Sequence, residues 1–309
     1  MLKIIAWNLA HREESWRLLL NTSADIALVQ EAAAPPPDVA QRIVVDTAPW
    51  QTAGARQYRP WRTAVVKLSD RVNVEWLGAK AIVDAEPCEL AASRLGTLAA
   101  AILSPPTGEP LIVASMYAPW EKFHAAARSR EIYADASVHR VISDLTAFIG
   151  HNHGHRIIAA GDLNILYGYG EHGNHYWASR YDTVFNRMAA LGLSFVGPQA
   201  PNGRQAAPWP EELPQASKNV PTYYTSRKNP ASATRQLDFV FASKALTDRV
   251  SVRAINEPDE WGPSDHCRVE IEVQQPAKGS IIRLVKEAVQ RRGDGELTLS
   301  PRKHYQSSA

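Results

Sequence analysis

The chain has 309 residues, enough for one large domain or two small ones. Hydrophobic residues make up 45% and charged residues 21%, which excludes wholesale disorder; 34 Lys+Arg against 32 Asp+Glu leave +2, which excludes a histone-like polycation. Two cysteines, Cys88 and Cys267, exclude a disulfide framework and a four-cysteine zinc site.

The apolar run Leu2 to Trp7 reads as a β-strand; it is too short for a signal-peptide core and ends in polar Asn8. No stretch approaches the roughly 18 apolar residues of a membrane span, so a reduced, cytoplasmic location is the expectation. Ser15 to Leu20 reads as part of a helix and Ile26 to Gln30 as a buried strand ending at Glu31, before Pro35-Pro36-Pro37 breaks regular structure. Thr63 to Leu68, Val72 to Leu77, Thr97 to Leu103 and Leu111 to Tyr117 follow as strands, a succession that suits a largely antiparallel or mixed sheet. Residues 128 to 149 carry Ile132, Ala136, Ile142, Leu145 and Phe148 at helical spacing, with Gly150 as the stop. Arg156 to Ala160 is a strand that runs into Gly161-Asp162-Leu163-Asn164, and a second helix spans about Trp177 to Leu191. Pro198 to Pro221 holds six prolines and no periodicity, which predicts a long ordered loop. Leu237 to Phe241 and Arg268 to Val273 are late strands.

Residues 276–309 form a separate unit beyond a 1–275 domain. Seven Lys/Arg against three Asp/Glu give it +4, so the remainder sums to −2. Ser280 caps, and Gly293 ends, an amphipathic stretch with Ile281, Ile282, Val285, Ala288 and Val289 on one stripe. A basic helix of this kind either packs on the domain with a solvated face or touches nucleic acid or acidic lipid.

Five polar clusters stand at the ends of strand-like runs: Trp7-Asn8, Gln30-Glu31, Gly161-Asp162-Leu163-Asn164, Leu237-Asp238 and Ser264-Asp265-His266. Carboxylates converging at one sheet rim repel one another unless a cation sits among them. Oxygen ligands with at most one His suit magnesium or manganese over zinc, and a hard divalent ion neutralises charge building on phosphate oxygens.

The ordered set, together with Met116-Tyr117-Ala118-Pro119, resembles the endonuclease/exonuclease/phosphatase superfamily from Trp7 to His266. The resemblance implies an α+β or α/β four-layer sandwich: two mostly antiparallel β-sheets packed face to face with helices on the outer faces. It implies a metal-dependent hydrolase of phosphodiester bonds, with Mg2+ as cofactor and Mn2+ as substitute. A nuclease acting on DNA or RNA by in-line water attack is the first reading. A phosphatase or phosphodiesterase on a small, inositol-type or lipid-type ester is the second, and a non-catalytic binding module of the same fold the third. In the family's pattern Glu31 is the main metal ligand, with Asn8 and Asp265 in the metal shell. Asp162 orients or deprotonates water, and Asn164 holds that water or a phosphate oxygen. Asp238 orients His266, which donates to a phosphate oxygen flanked by Tyr117. Arg94 lies where relatives place a phosphate-contacting arginine and equally suits an ordinary surface.

Substrate contacts are sought near these motifs. Tyr169, His175, Trp177 and Arg180, with Tyr167, His172 and Tyr176, follow the Gly161 motif; they either stack bases and hold a phosphate or pack as a loop core. Trp120, Lys122, His124 and Arg128 follow Tyr117, and Arg227, Lys228 and Arg235 precede Asp238. Gly168-Tyr169-Gly170-Glu171-His172-Gly173 matches a dinucleotide pattern but lacks the strand before it, so it reads as a flexible loop beside the site. His151-Asn152-His153-Gly154-His155 reads as a solvated turn, and Cys267 as a small buried residue at the start of a strand.

Overall fold

The computed structural model describes residues 1–54, 57–86, 89–120, 134–150, 154–225 and 227–275. Segment 276–309, Cys88, Lys122, His124, Arg128 and the 151–153 part of the histidine cluster lie outside the described residues.

In chain order the elements begin with β1 (Leu2–Asn8), α1 (Glu13–Leu19), β2 (Ile26–Ala32), α2 (Pro37–Ala40), β3 (Val44–Val45), β4 (Thr52–Gly54) and β5 (Gln57–Arg59). Next come β6 (Arg62–Lys67), β7 (Asn73–Leu77), β8 (Ala79–Ala81), β9 (Leu90–Ala92), β10 (Leu98–Ser104) and β11 (Leu111–Tyr117). The second half holds α3 (Ala134–Leu145), β12 (Ile157–Asp162), α4 (His175–Ala190), β13 (Leu193–Gly197), β14 (Asp238–Ser243), β15 (Val250–Ile255) and β16 (Arg268–Val273).

Two six-stranded sheets result, ordered β15-β16-β1-β2-β6-β3 and β13-β14-β12-β11-β10-β7. Each is antiparallel except for one parallel pair at its centre, β1–β2 in the first and β11–β12 in the second. Alternation along the strands builds the layers. In β1, Ile4 and Ala6 face inward with Leu28, Val65, Val113, Ile158, Ala160 and Val240 to form the core between the sheets. Ile5 and Trp7 point the other way, where Trp16 and Leu19 of α1 cover them. On the far side α3 and α4 bring Val138, Ile142, Tyr181, Val184 and Met188 onto Ala114, Ala159, Phe239 and Phe241. A strand buried on both faces needs apolar residues at consecutive positions, which is why these runs look continuous. Each fully buried aliphatic or Phe side chain contributes about 1.5–3 kcal/mol. The sandwich is therefore the four-layer arrangement that the resemblance implies.

Three details differ from the sequence reading. The proline cluster starts a one-turn helix, with Pro37 at the first helical position, where its missing N–H costs nothing. The helix sought over 128–149 ends at Leu145 and tightens into a 3-10 turn over Thr146–Phe148; its first residues fall outside those described. Strand β15 was overlooked, although Val252 and Ala254 alternate as buried positions. The stretch 198–221 forms no helix or strand, and side chains pin it: Asn256 Nδ2 donates to the Arg204 carbonyl at 2.8 Å and Asn219 Nδ2 to that of Tyr167 at 2.8 Å. Among the described residues no helix is long and apolar enough to cross a membrane.

Candidate active site

The strand directions bring the polar clusters to one rim. Asn8 ends β1 opposite Gln30 of the parallel β2. Tyr117 ends β11 opposite Asp162 at the end of the parallel β12. The antiparallel β14 starts opposite that same end, pairing Asp238 with Asp162. His266 lies just before β16, which runs antiparallel to β1. Six chain segments thus deliver their polar ends to one edge of the sandwich.

Below that rim the two sheets are tied by buried hydrogen bonds. Gln30 Nε2 donates to Ser115 Oγ at 2.8 Å, and Ser115 Oγ donates to the Val29 carbonyl at 2.9 Å. Gly161 takes φ +152°, and a Cβ built there would overlap the Met116 carbonyl oxygen, so only glycine lets β12 lie this close to β11. Pairing of β2 with β6 shifts between Val29 and Ala32. Glu31, in that bulge, adopts φ +43° and turns into the cleft. A non-glycine residue held at positive φ costs about 1–2 kcal/mol, strain that tends to gather at functional sites.

The cleft has a volume of about 480 Å³. Asn8, His11, Glu31, Tyr117, Asp162 and Asn164 line one part of it, and Trp120, Tyr223, Arg235, Asp265 and His266 the rest. Asp162 is the hub. Its Oδ2 accepts from Asn8 Nδ2 at 3.0 Å and from Asn164 Nδ2 at 3.1 Å, and its Oδ1 accepts from the Asn164 backbone N–H at 3.0 Å. His266 Nε2 faces the same Oδ2 at 3.7 Å, while Nδ1 pairs with Asp238 Oδ2 at 2.8 Å. Ser264 Oγ donates to the Asn8 carbonyl and accepts the His266 N–H, and Trp7 Nε1 donates to the His266 carbonyl at 2.9 Å. Thr222 Oγ1 accepts the Leu237 and Asp238 amides, which fixes the start of β14.

Electrostatics follow from burial. Burial raises the Asp162 carboxyl well above the usual carboxylate range; His266 opposes this, while Asp238 and Glu31 add to it. Burial alone would lower His266, but the Asp238 and Asp162 carboxylates outweigh it and push the imidazole up to about 10, so the ring is a cation at neutral pH. Glu31 is raised by burial and lowered more by hydrogen bonds from His11 and Tyr117, ending below its ordinary value. His11 Nε2 stands 3.0 Å from Glu31 Oε2. Tyr117 is pushed far above a normal phenol, first by burial and then by Glu31 and Asp162, and keeps its proton.

This donor set fits a divalent cation. Glu31, Asp162 and Asp265 bring carboxylates to one cleft, while Asp238 and the protonated His266, whose atoms lie within 4.8 Å of those of Asp162, form an ion pair beside them. The Asp162 carboxyl is raised first by burial, with the Asp238 and Glu31 carboxylates adding to it against the pull of His266. Oxygen-rich, cysteine-free donors suit a hard ion.

Not every anticipated contact is in the cleft. Arg94 sits in a turn where its carbonyl accepts from Thr97 Oγ1 at 2.8 Å, and it is not a lining residue. Tyr169 is buried in the helix-covered core, so the loop at 168–173 is anchored, not flexible, and Tyr169 offers no face to a base. Trp177 packs partly against that core, and Arg180 pairs with Asp135 at 2.6 Å. His175 opens α4 and Arg227 is exposed; neither lines the cleft. Of the expected contacts, Trp120 and Arg235 do line it, and Arg235 is held by Glu171 at 2.8 Å. Asn164 does not lie on extended chain: its φ is +53°, and a tight turn brings it back onto Asp162. Residues the sequence reading overlooked are His11, three places after Asn8, and Tyr223, whose ring lies 5.0 Å from His266. Trp61, which meets Tyr117 edge-on at 5.1 Å and His11 at 5.4 Å, was overlooked as well. His11 alone had a visible signal, a polar residue soon after a strand-end Asn.

No protein-family model matches the sequence, and no curated protein matches it. Solved structures do. The AP endonuclease LMAP from Leishmania major superposes with a TM-score of 0.58 at 17% identity, over 89% of this chain and 88% of that one. The endonuclease domain of TRAS1, a telomere-specific non-LTR retrotransposon, gives 0.55 at 15% identity over 90% and 100%. An AP endonuclease from Archaeoglobus fulgidus gives 0.54 at 16% identity over 89% and 100%. The chain has an endonuclease/exonuclease/phosphatase-type fold. In this endonuclease/exonuclease/phosphatase-type sandwich the cleft of Asp162 lies at the rim that both central parallel strand pairs reach.

Proposed function

We propose that the protein is a metal-dependent phosphodiesterase acting on nucleic acid, with residues 1–275 as the hydrolase domain. The observation that carries this reading is the junction at Asp162. One buried carboxylate is held by two amide side chains and faced by an imidazolium that a second carboxylate keeps charged.

Glu31 and Asp265, with Asn8 and Asp162 nearby, would hold magnesium, or manganese in its place. Bound there, the ion supplies charge neutralisation for phosphate oxygens. The protein's own groups do the rest. Asp162, raised toward neutrality, accepts a proton from a water in line with the scissile bond. His266, protonated and aimed by Asp238, donates a hydrogen bond to a non-bridging oxygen as charge grows on it. The Tyr117 hydroxyl, edge-on to Trp61, gives its one proton to Glu31 and so steadies that carboxylate at the flank of the phosphate. The P–O bond to the leaving oxygen then breaks, and the alkoxide takes a proton from solvent water, giving a phosphate monoester and a hydroxyl.

The test is turnover by purified protein with magnesium on plasmid, single-stranded DNA, RNA, an abasic duplex and a panel of phosphomonoesters. Nicking or degradation that chelator abolishes and magnesium or manganese restores supports the proposal. Monoester hydrolysis alone would instead favour a small-molecule phosphatase, and no turnover with no bound metal a binding module.

A further inference from the structure

Asn164 has no donor left for a substrate. Its Nδ2 carries two hydrogens, and both are used: one goes to the Ala118 carbonyl at 3.2 Å, the other to Asp162 Oδ2 at 3.1 Å. Its Oδ1 accepts the indole N–H of Trp120 at 2.7 Å. An indole nitrogen only donates, so the group facing it must be the amide oxygen. That contact fixes which way the carboxamide points, and with it the donor that meets Asp162.

Resting on the phosphodiesterase reading of this cleft, we infer that Trp120 is a positioning residue that acts through Asn164 on Asp162. Trp120 is 41% exposed, so the ring is not held by burial in a core. Among the described residues its one directional bond is to Asn164. Asn164 is itself committed by a left-handed backbone, φ +53°, that turns its amide back over Asp162. Without the indole N–H the carboxamide is held only through its two Nδ2 bonds, and its oxygen loses the donor that braces it from the other side. The group can then swing away from Asp162 Oδ2, and the carboxylate loses one of its two side-chain donors. The Asn164 bond to Asp162 goes to a charged group and is of the stronger kind, so its loss can reorient a reacting carboxylate. The exposed face of Trp120 remains available to substrate, so ring and N–H have separable effects.

Trp120→Phe keeps the ring and removes the N–H. Measured on bis(p-nitrophenyl) phosphate and on a single-stranded oligonucleotide with magnesium, kcat should fall about tenfold, as loss of one such bond implies, with KM unchanged. Trp120→Ala should lower kcat equally and also raise KM for the oligonucleotide. Asn164→Ala combined with Trp120→Phe should be no slower than Asn164→Ala alone. A Trp120→Phe enzyme with wild-type kcat, or a double variant that loses both factors, overturns the inference. A readout independent of turnover separates this from the proposed function. The Trp120 indole N–H resonance, assigned by its absence in Trp120→Phe, should move upfield in Asn164→Ala; an unmoved resonance overturns the clamp. Wild-type protein inert on every substrate, but with the resonance moving as expected, would remove the phosphodiesterase reading and keep the clamp.

Discussion

His266 reaches Asp238 with Nδ1 at 2.8 Å and turns Nε2 toward Asp162 at 3.7 Å, so one imidazolium stands between two buried carboxylates. Its pKa is raised from 6.5 to about 10. The stability this gives is fully present below about pH 6.5, the unfolded value, and is lost as pH rises through 10. In metal-free protein the melting temperature should therefore fall over that window, and Asp238→Asn should flatten the fall. A variant with the wild-type slope would remove this pair from the pH dependence. The same substitution should lower kcat by roughly two to four orders of magnitude, the usual range for a lost acid–base partner.

Asp162→Asn addresses charge directly. The Asp162 carboxyl is pushed up to about 7 by burial, with Asp238 and Glu31 adding to the effect. Asparagine removes the buried charge but sets an NH2 against an N–H donor of Asn8 or Asn164 and takes an anion from His266, so the readout of the charge is turnover. Turnover should drop by roughly three orders of magnitude or more. Near-wild-type rates would take Asp162 out of the mechanism.

Divalent ion binding should be visible without substrate. An ion that binds only the folded chain raises its stability by RT ln(1 + [M]/Kd), about 2.7 kcal/mol at a hundredfold excess over Kd. Magnesium or manganese should raise the melting temperature of wild type, and Glu31→Gln should shrink that increment at equal ion concentration. Calorimetry on both proteins checks this; an unchanged increment in Glu31→Gln would place the ion elsewhere.

Gly161→Ala tests the link between packing and site. The added Cβ would overlap the Met116 carbonyl, in backbone, where no side chain can yield. Parting β11 from β12 would also separate Tyr117 from Asp162, which are register partners. The expected cost is about 3 kcal/mol or more, read by urea denaturation, with activity falling in whatever fraction still folds. A cost under about 1 kcal/mol would show that the two strands can part there freely.

Much of this was legible in the sequence. Strand-like runs ending in Asn8, Glu31 and Asp162, and one starting just after His266, are local patterns, and a strand's end is where its polar residues reach a rim. Side-chain alternation and two-face burial are local too, which is why most long sheet strands could be read from the chain, while the half-exposed β15 and the short β3, β4, β5, β8 and β9 slipped past. The destination of loop residues is another matter. Tyr169 and Tyr167 are two positions apart and equally aromatic, yet nothing near them in the chain says that Tyr169 is buried. Arg180 is committed to Asp135, 45 positions away, and Arg235 to Glu171, 64 away. Ion pairs and ring contacts at such separations form only once the sheets have stacked, so composition near a motif does not reveal them.

The chain alone determined the strand-rich alternation and the acidic, amide and imidazole groups at its strand ends, because each depends on local periodicity, while the four-layer sandwich was what its superfamily resemblance implied. Only the tertiary structure decided that His11, Trp61 and Tyr223 join that rim, that Arg94 and Tyr169 stay away, and that the Asn164 amide is spent on Asp162, Ala118 and Trp120. Those outcomes turn on how distant side chains satisfy their hydrogen bonds inside a packed cleft, and a linear pattern does not encode that balance.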